Sequence, residues 1–260
     1  FITVMQNRKR NRHLMPYVVG VIALVAGFFL LLNNFVANPF DRIGVIGAGG
    51  AATPFTPMDG RGLNPLLQYW AMVIHPPVLY TGYVGFTIPF AFAIAALITR
   101  DLDDEWIRIT RRWMMVPWLF QGIGVLLGAK WAYVVLGWGG YWGWDPVENA
   151  SLMPWLTATA FLHSVIMQER KGMMKIWNMV LILSTFLLCI FGTFLTRSGI
   201  VSSVHAFAQS PIGPFFSSFL FIMIGLCLYL LLTRLDALKS ENRLDSMVSR
   251  ESSFLFNNLA

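Results

Sequence analysis

Six stretches of this chain are long and apolar enough to cross a lipid bilayer: roughly residues 14–33, 69–98, 114–135, 150–167, 176–195 and 215–233. A spanning helix needs about 20 such residues, because the hydrocarbon core is about 30 Å thick. Inside lipid no water satisfies backbone N–H and C=O groups, so a span must be a helix or part of a closed barrel. These runs are continuous and do not alternate, which selects helices. The expected fold is an all-α integral membrane protein with about six transmembrane helices, forming a single transmembrane region over residues 1–260. The second run contains Pro76, Pro77 and Pro89, and a kink or break is expected near its start.

Charge supports this reading. Charged residues make up 12% of the chain, against about 25% in an ordinary soluble domain. The net charge of +6 is gathered in short loops. It is not spread as a nucleic-acid footprint, so membrane lipid is an expected partner and nucleic acid is not. Arg8, Lys9, Arg10 and Arg12 precede the first run, and Arg100, Arg108, Arg111 and Arg112 separate the second from the third. Arg170, Lys171 and Lys175 separate the fourth from the fifth, and Arg234, Lys239 and Arg243 follow the sixth. All fall on one side, which the positive-inside rule makes cytoplasmic or matrix. The other loops carry few charges: Asp41, Arg42, Asp59 and Arg61 in the first, Arg197 in the last. Asp101, Asp103, Asp104 and Glu105 lie among the inner arginines and read as solvated helix ends. Residues 234–253 read as a cytoplasmic linker or a surface helix. Cys189 and Cys227 sit inside apolar runs without CxxC spacing and read as buried packing residues. The chain opens on Phe1, and a new apolar run, Phe254-Leu255-Phe256, begins before Ala260. A piece of a longer protein is expected.

One outer loop stands apart. From Trp138 to Trp144, four aromatic rings (Trp138, Tyr141, Trp142, Trp144) interleave with three glycines, and Asp145-Pro146-Val147-Glu148-Asn149 follows. Interfacial anchoring accounts for Trp70, Trp106, Trp113, Trp118, Trp155 and Trp177. It does not account for this density. Glycine lets a backbone turn tightly and approach a ligand closely, and an aromatic patch outside the lipid is a liability unless it covers something. A flat, partly charged ligand such as haem suits it. Asp145, Pro146 and Glu148 also match a helix start, with Asp145 as N-cap, Pro146 in the first turn and Glu148 closing a capping box. That role does not exclude contact with a ligand.

The four histidines differ by position. His13 lies in a basic inner loop and reads as solvated. His75, before Pro76 and Pro77, and His205, after the fifth run, fall on the same face as the aromatic loop. Each could be a structural hydrogen-bonder, or the pair could bind a haem iron from its two faces. His163 lies 13 residues past Ala150, about 20 Å along its helix. Ionisable groups at such depth are usually functional. Either a buried haem with a second ligand from elsewhere accounts for His163, or an interhelical hydrogen bond does. Lys130 and Arg197 add charge near the outer surface, for haem propionates, lipid phosphates or water.

Together these residues resemble the CcmF-type cytochrome c maturation haem lyases, within the wider haem-handling family that carries a tryptophan-rich (WWD) domain. The likeness rests on residues 59–65, His75-Pro76-Pro77-Val78-Leu79-Tyr80, residues 138–155 and residues 196–208, and most specifically on Trp144-Asp145-Pro146-Val147-Glu148-Asn149-Ala150-Ser151. It implies that residues 136–155 are the WWD haem-handling segment, facing the periplasm from the bacterial inner membrane, with a mitochondrial inner membrane as the alternative. It implies that haem is held there between His75 and His205, and that a resident haem b inside the membrane takes His163 as one ligand. It further implies that the second ligand of that haem lies on a later helix, beyond Ala260. The implied reaction is thioether formation between haem vinyl groups and the CxxCH thiols of an apocytochrome c, with a periplasmic haem chaperone and a thioredoxin-like subunit as partners. The sequence departs from the family at Val134 and Val135, where some members carry an acidic residue, and at Tyr141, where many carry Trp. Two rival readings are a haem exporter or relay that loads a chaperone without thioether chemistry, and a metal-ion transporter. Thirteen methionines scattered through apolar runs give little support to the latter.

Overall fold

The computed structural model describes residues 2–7, 11–41, 44–46, 52–60, 62–205, 212–239 and 253. Arg8, Lys9, Arg10, Arg42, Arg61, Arg243, residues 206–208, most of the 234–253 tail and Phe254-Leu255-Phe256 lie outside the described residues.

A short helix α1 (Ile2–Asn7) precedes α2 (Met15–Leu31), which runs on through a π-helical turn, Leu32–Val36. A small antiparallel pair follows, β1 (Gly44–Ile46) with β2 (Ala52–Pro54), in register Val45 opposite Thr53. This pair was not expected from the sequence. Then come α3 (Trp70–Gly85), α4 (Thr87–Thr99) and α5 (Asp104–Trp131), the last extended by a second π-helical turn, Ala132–Leu136. The chain continues as α6 (Pro146–Lys171), α7 (Lys175–Ser198) and α8 (Gly213–Leu232). Among the described residues six spans have the length and apolarity of membrane crossings: Met15–Val36, Trp70–Thr99, Glu105–Leu136, Pro146–Lys171, Lys175–Ser198 and Gly213–Leu232. The protein is an all-α integral membrane protein.

The second span breaks elsewhere than expected. Helix α3 passes through Pro76 and Pro77 unbroken, and the interruption falls at Phe86, between α3 and α4. Pro89 explains the position. As third residue of α4 it occupies a turn whose N–H groups have no intrahelical partner in any case, so the helix restarts just ahead of it. Helix α4 forms the centre. Every residue from Pro89 to Leu97 is buried, as suits a helix apolar on all sides. Its alanines admit α2, α5, α7 and α8 around it. Phe90 stacks on Phe186 of α7 at 4.0 Å, and Phe28 of α2 stacks on Phe219 of α8 at 4.0 Å. Cys189 and Cys227 are free and buried in this core, as the apolar context suggested.

Contacts between loops define two ends. At one end His13 pairs with Asp101, Arg111 with Glu169, and the Arg234 guanidinium donates to the Leu97 carbonyl. His13 is exposed, as expected, and its ring also meets the Asp101 carboxylate. The first residues of the tail form turns with Leu238 buried. At the other end the Trp131 indole donates to Leu66 O at 2.9 Å, and His205 meets Asp145. Among the described residues the basic loops share the first end, and the aromatic loop shares the second with His75 and His205.

Candidate functional site

His75 is held by an unusually close crossing of α3 and α5. A Cβ on Gly124 would lie 2.7 Å from Leu79 Cα, one on Gly82 would lie 2.6 Å from the Gln121 side chain, and one on Gly85 would lie 2.8 Å from Pro117. A Cβ on Gly128 would lie 2.7 Å from Cε1 of His75 itself. Missing side chains let the two backbones approach, as small residues commonly do between membrane helices. The approach brings the Gly124 carbonyl within 2.7 Å of His75 Nδ1. A carbonyl can only accept, so Nδ1 carries the proton and Nε2 keeps its lone pair.

His205 is held by the start of α6. Asp145 is the N-cap: its Oδ2 accepts from Val147 N at 3.0 Å and Glu148 N at 3.4 Å. Glu148 Oε2 accepts in return from Asp145 N at 3.3 Å and from Gly143 N at 3.0 Å. The expected capping box is present. Asp145 Oδ2 also accepts from Ser203 Oγ at 2.7 Å and lies 3.0 Å from His205 Nδ1. The imidazole again donates through Nδ1 and leaves Nε2 open. Its ring sits edge-on to Trp131, centroids 5.9 Å apart. Trp131 lies one turn beyond Gly128 on α5, about 4.5 Å further along the axis. Both imidazoles therefore gather at the same end of α5.

Beside them the aromatic loop is shaped by its glycines. Gly137 and Gly139 take φ of +68° and +74°. The Trp138 ring lies against Gly143, where a Cβ would come within 2.5 Å of it. Tyr141 stacks on Tyr133 at 4.4 Å. The Trp142 indole donates to Asn149 Oδ1 at 3.2 Å, and Asn149 Nδ2 donates to the Trp144 carbonyl at 3.2 Å. Trp144 takes φ of +56° and is 77% exposed. A bulky residue in the left-handed region is strained, and here the strain turns an indole outward. Two imidazoles each tied through Nδ1, next to exposed ring faces, supply donors and a flat apolar surface of the kind that suits an iron porphyrin.

Residues 1–205 match the family described as Cytochrome C assembly protein. The chain belongs to that family, and within it to the CcmF type. It is 46% identical over 254 residues, 97% of its length, to the cytochrome c-type biogenesis protein CcmF of Pseudomonas aeruginosa, and 46% identical over 243 residues, 93% of its length, to CcmF of Escherichia coli. It covers 37% and 36% of those two proteins, a little over a third of each. A solved structure titled Cytochrome c Heme Lyase CcmF superposes with a TM-score of 0.74 at 33% identity, over 99% of this chain and 36% of that one.

Within this CcmF-type chain the remaining expected residues separate. Lys130 lies with Nζ 4.9 Å from the Trp70 ring centroid, a cation–π contact close to the shelf. Arg197 is exposed near the end of α7. His163 points away from the helix bundle, and its Nδ1 lies 2.8 Å from Thr159 O of its own helix. Among the described residues no hydrogen bond joins its side chain to another helix, and the ring is exposed. Trp118 and Trp155 are not headgroup anchors: they stack at 5.7 Å between α5 and α6, and the Trp118 indole donates to Thr159 Oγ1 at 2.8 Å. Four contributors escaped the sequence reading: Trp131, Tyr133, Ser203 and Gly124. The Gly124-x-x-x-Gly128 spacing was the one available signal. A cavity of about 830 Å³ lies elsewhere, walled mostly by apolar groups of α2, α3, α4, α5 and α7.

Proposed function

We propose that this chain is the haem-presenting part of a cytochrome c haem lyase. The observation that carries the reading is the matched pinning of His75 and His205: each is tied through Nδ1, and both stand at one end of α5 beside the exposed rings of Tyr141 and Trp144. Haem, as substrate, lies on this shelf with its iron between the two Nε2 atoms. Trp138, Tyr141, Trp142 and Trp144 meet the porphyrin face, while Asp145, Glu148 and Asn149 keep the shelf in shape. Lys130 and Arg197 serve the propionates. In the reaction each CxxCH thiol of an apocytochrome c adds its S–H across a haem vinyl group and a thioether forms. The nucleophiles belong to the apocytochrome, so the contribution of this chain is to fix distance and orientation.

The basic loops support a placement in the bacterial inner membrane with the shelf toward the periplasm. There a periplasmic haem chaperone delivers haem, and a thioredoxin-like subunit keeps the apocytochrome thiols reduced. His163, exposed on α6, would serve as one ligand of a resident haem b. A relay that only passes haem onward leaves His163 without a purpose. The test is covalent cytochrome c yield in cells carrying the full-length protein. Trp142→Ala and Trp144→Ala should lower haem retention and cytochrome yield together; normal yield in both would remove the shelf from the mechanism.

A further inference from the structure

We infer that Asp145 is a positioning residue for His205, so that the start of α6 sets the donor strength of one iron ligand and leaves the other weaker. This rests on the reading of His75 and His205 as iron ligands. The single oxygen Oδ2 of Asp145 gathers four donors: Ser203 Oγ at 2.7 Å, His205 Nδ1 at 3.0 Å, and the amides of Val147 at 3.0 Å and Glu148 at 3.4 Å. Two of these come from the loop after α7, 58 and 60 residues away in sequence. Ser203 Oγ in turn accepts the His205 backbone N–H at 3.0 Å and closes a ring of three residues. The side chains of His205 and Asp145 are only 18% and 10% exposed.

The cap alone does not call for a carboxylate. Ser, Asn and Asp cap helices about equally well. The carboxylate is required by what lies on its far side, an imidazole N–H and a hydroxyl with little water to replace it. A hydrogen bond to a charged acceptor is roughly twice as strong as a neutral one. A carboxylate on Nδ1–H pulls at that proton and raises the basicity of the opposite nitrogen. His75 lacks this help, since its Nδ1–H meets the neutral Gly124 carbonyl. The two faces of a bound haem are therefore held unequally, His205 giving more electron density and favouring ferric over ferrous iron.

The experiment uses the full-length protein, titrated potentiometrically before and after loading with haem, so that the difference reports the added haem. Asp145→Asn keeps a good N-cap and an acceptor oxygen but loses the charge. It should retain a bis-imidazole spectrum and lose ferric preference about tenfold, a positive shift of about 59 mV for one electron. Asp145→Ser keeps the cap but is too short to reach the imidazole, and should show the same shift with weaker haem retention. Asp145→Glu keeps a carboxylate and should stay nearer the wild-type potential than either. Wild-type potentials in both Asp145→Asn and Asp145→Ser would overturn the inference. So would failure of Asp145→Asn to fold, since Asp145 would then be required for structure alone. Lack of a bis-imidazole spectrum in the loaded wild-type protein would instead remove the ligand assignment beneath it.

Discussion

Trp144 shows how one residue divides between stability and use. A left-handed backbone at a non-glycine position costs about 1–3 kcal/mol, and the indole it carries is largely exposed. Trp144→Gly removes that strain and loses about 0.4–1 kcal/mol to the freer unfolded chain. The denaturation midpoint should therefore stay level or rise while haem retention falls; a clearly lower midpoint would make the indole a packing residue. His163 makes the opposite case. With its ring exposed on α6, His163→Ala should leave the shelf haem bound and impair its reduction, read as slower reduction of the loaded haem. Loss of the shelf haem would contradict the separation of the two sites. At this scale much was legible. The aromatic run and the capping box could be read from spacing, and the shared end of His75 and His205 from the alternation of the spans. Ser203 and Trp131 could not, because their partners lie far away in sequence and neither residue belongs to a local pattern.

Among the elements, the crossing of α3 over α5 decides where His75 sits. Gly124→Ala would set a Cβ 2.7 Å from the Leu79 backbone, and overpacking of this kind costs about 1–3 kcal/mol. The helices must part, and a fall in thermal stability should accompany weaker haem binding. Gly128→Ala meets the imidazole instead. The ring must shift and give up its bond to the Gly124 carbonyl, so a changed haem spectrum with a loss of about 1 kcal/mol in stability is expected from absorption and unfolding measured together. The break at Phe86 teaches a related lesson. Three prolines signalled an interruption in the second span, but Pro76 and Pro77 stay inside a continuous helix while Pro89 fits a helix start. Proline identity alone does not say which outcome neighbouring helices will support. The β1–β2 pair lacked a readable signal for a different reason, since three-residue strands are too short to show a period.

For the whole molecule, all six spans were legible because the bilayer imposes one requirement, length of apolar helix, on every segment that crosses it. Which loops share an end followed from alternation and is matched by the His13–Asp101 and Asp145–His205 contacts. Sidedness is open to labelling: with Cys189 and Cys227 buried, a cysteine at exposed Tyr141 should react with an impermeant thiol reagent from the periplasmic side, and one at Arg170 should not. The reverse pattern would invert the proposed orientation. The central claim, that two imidazoles at one end of α5 grip a substrate iron, is tested most directly by the absorption spectrum of haem-loaded full-length protein. Low-spin bis-imidazole bands in the wild type that weaken in both His75→Ala and His205→Ala are predicted. An unchanged spectrum in both variants would contradict it.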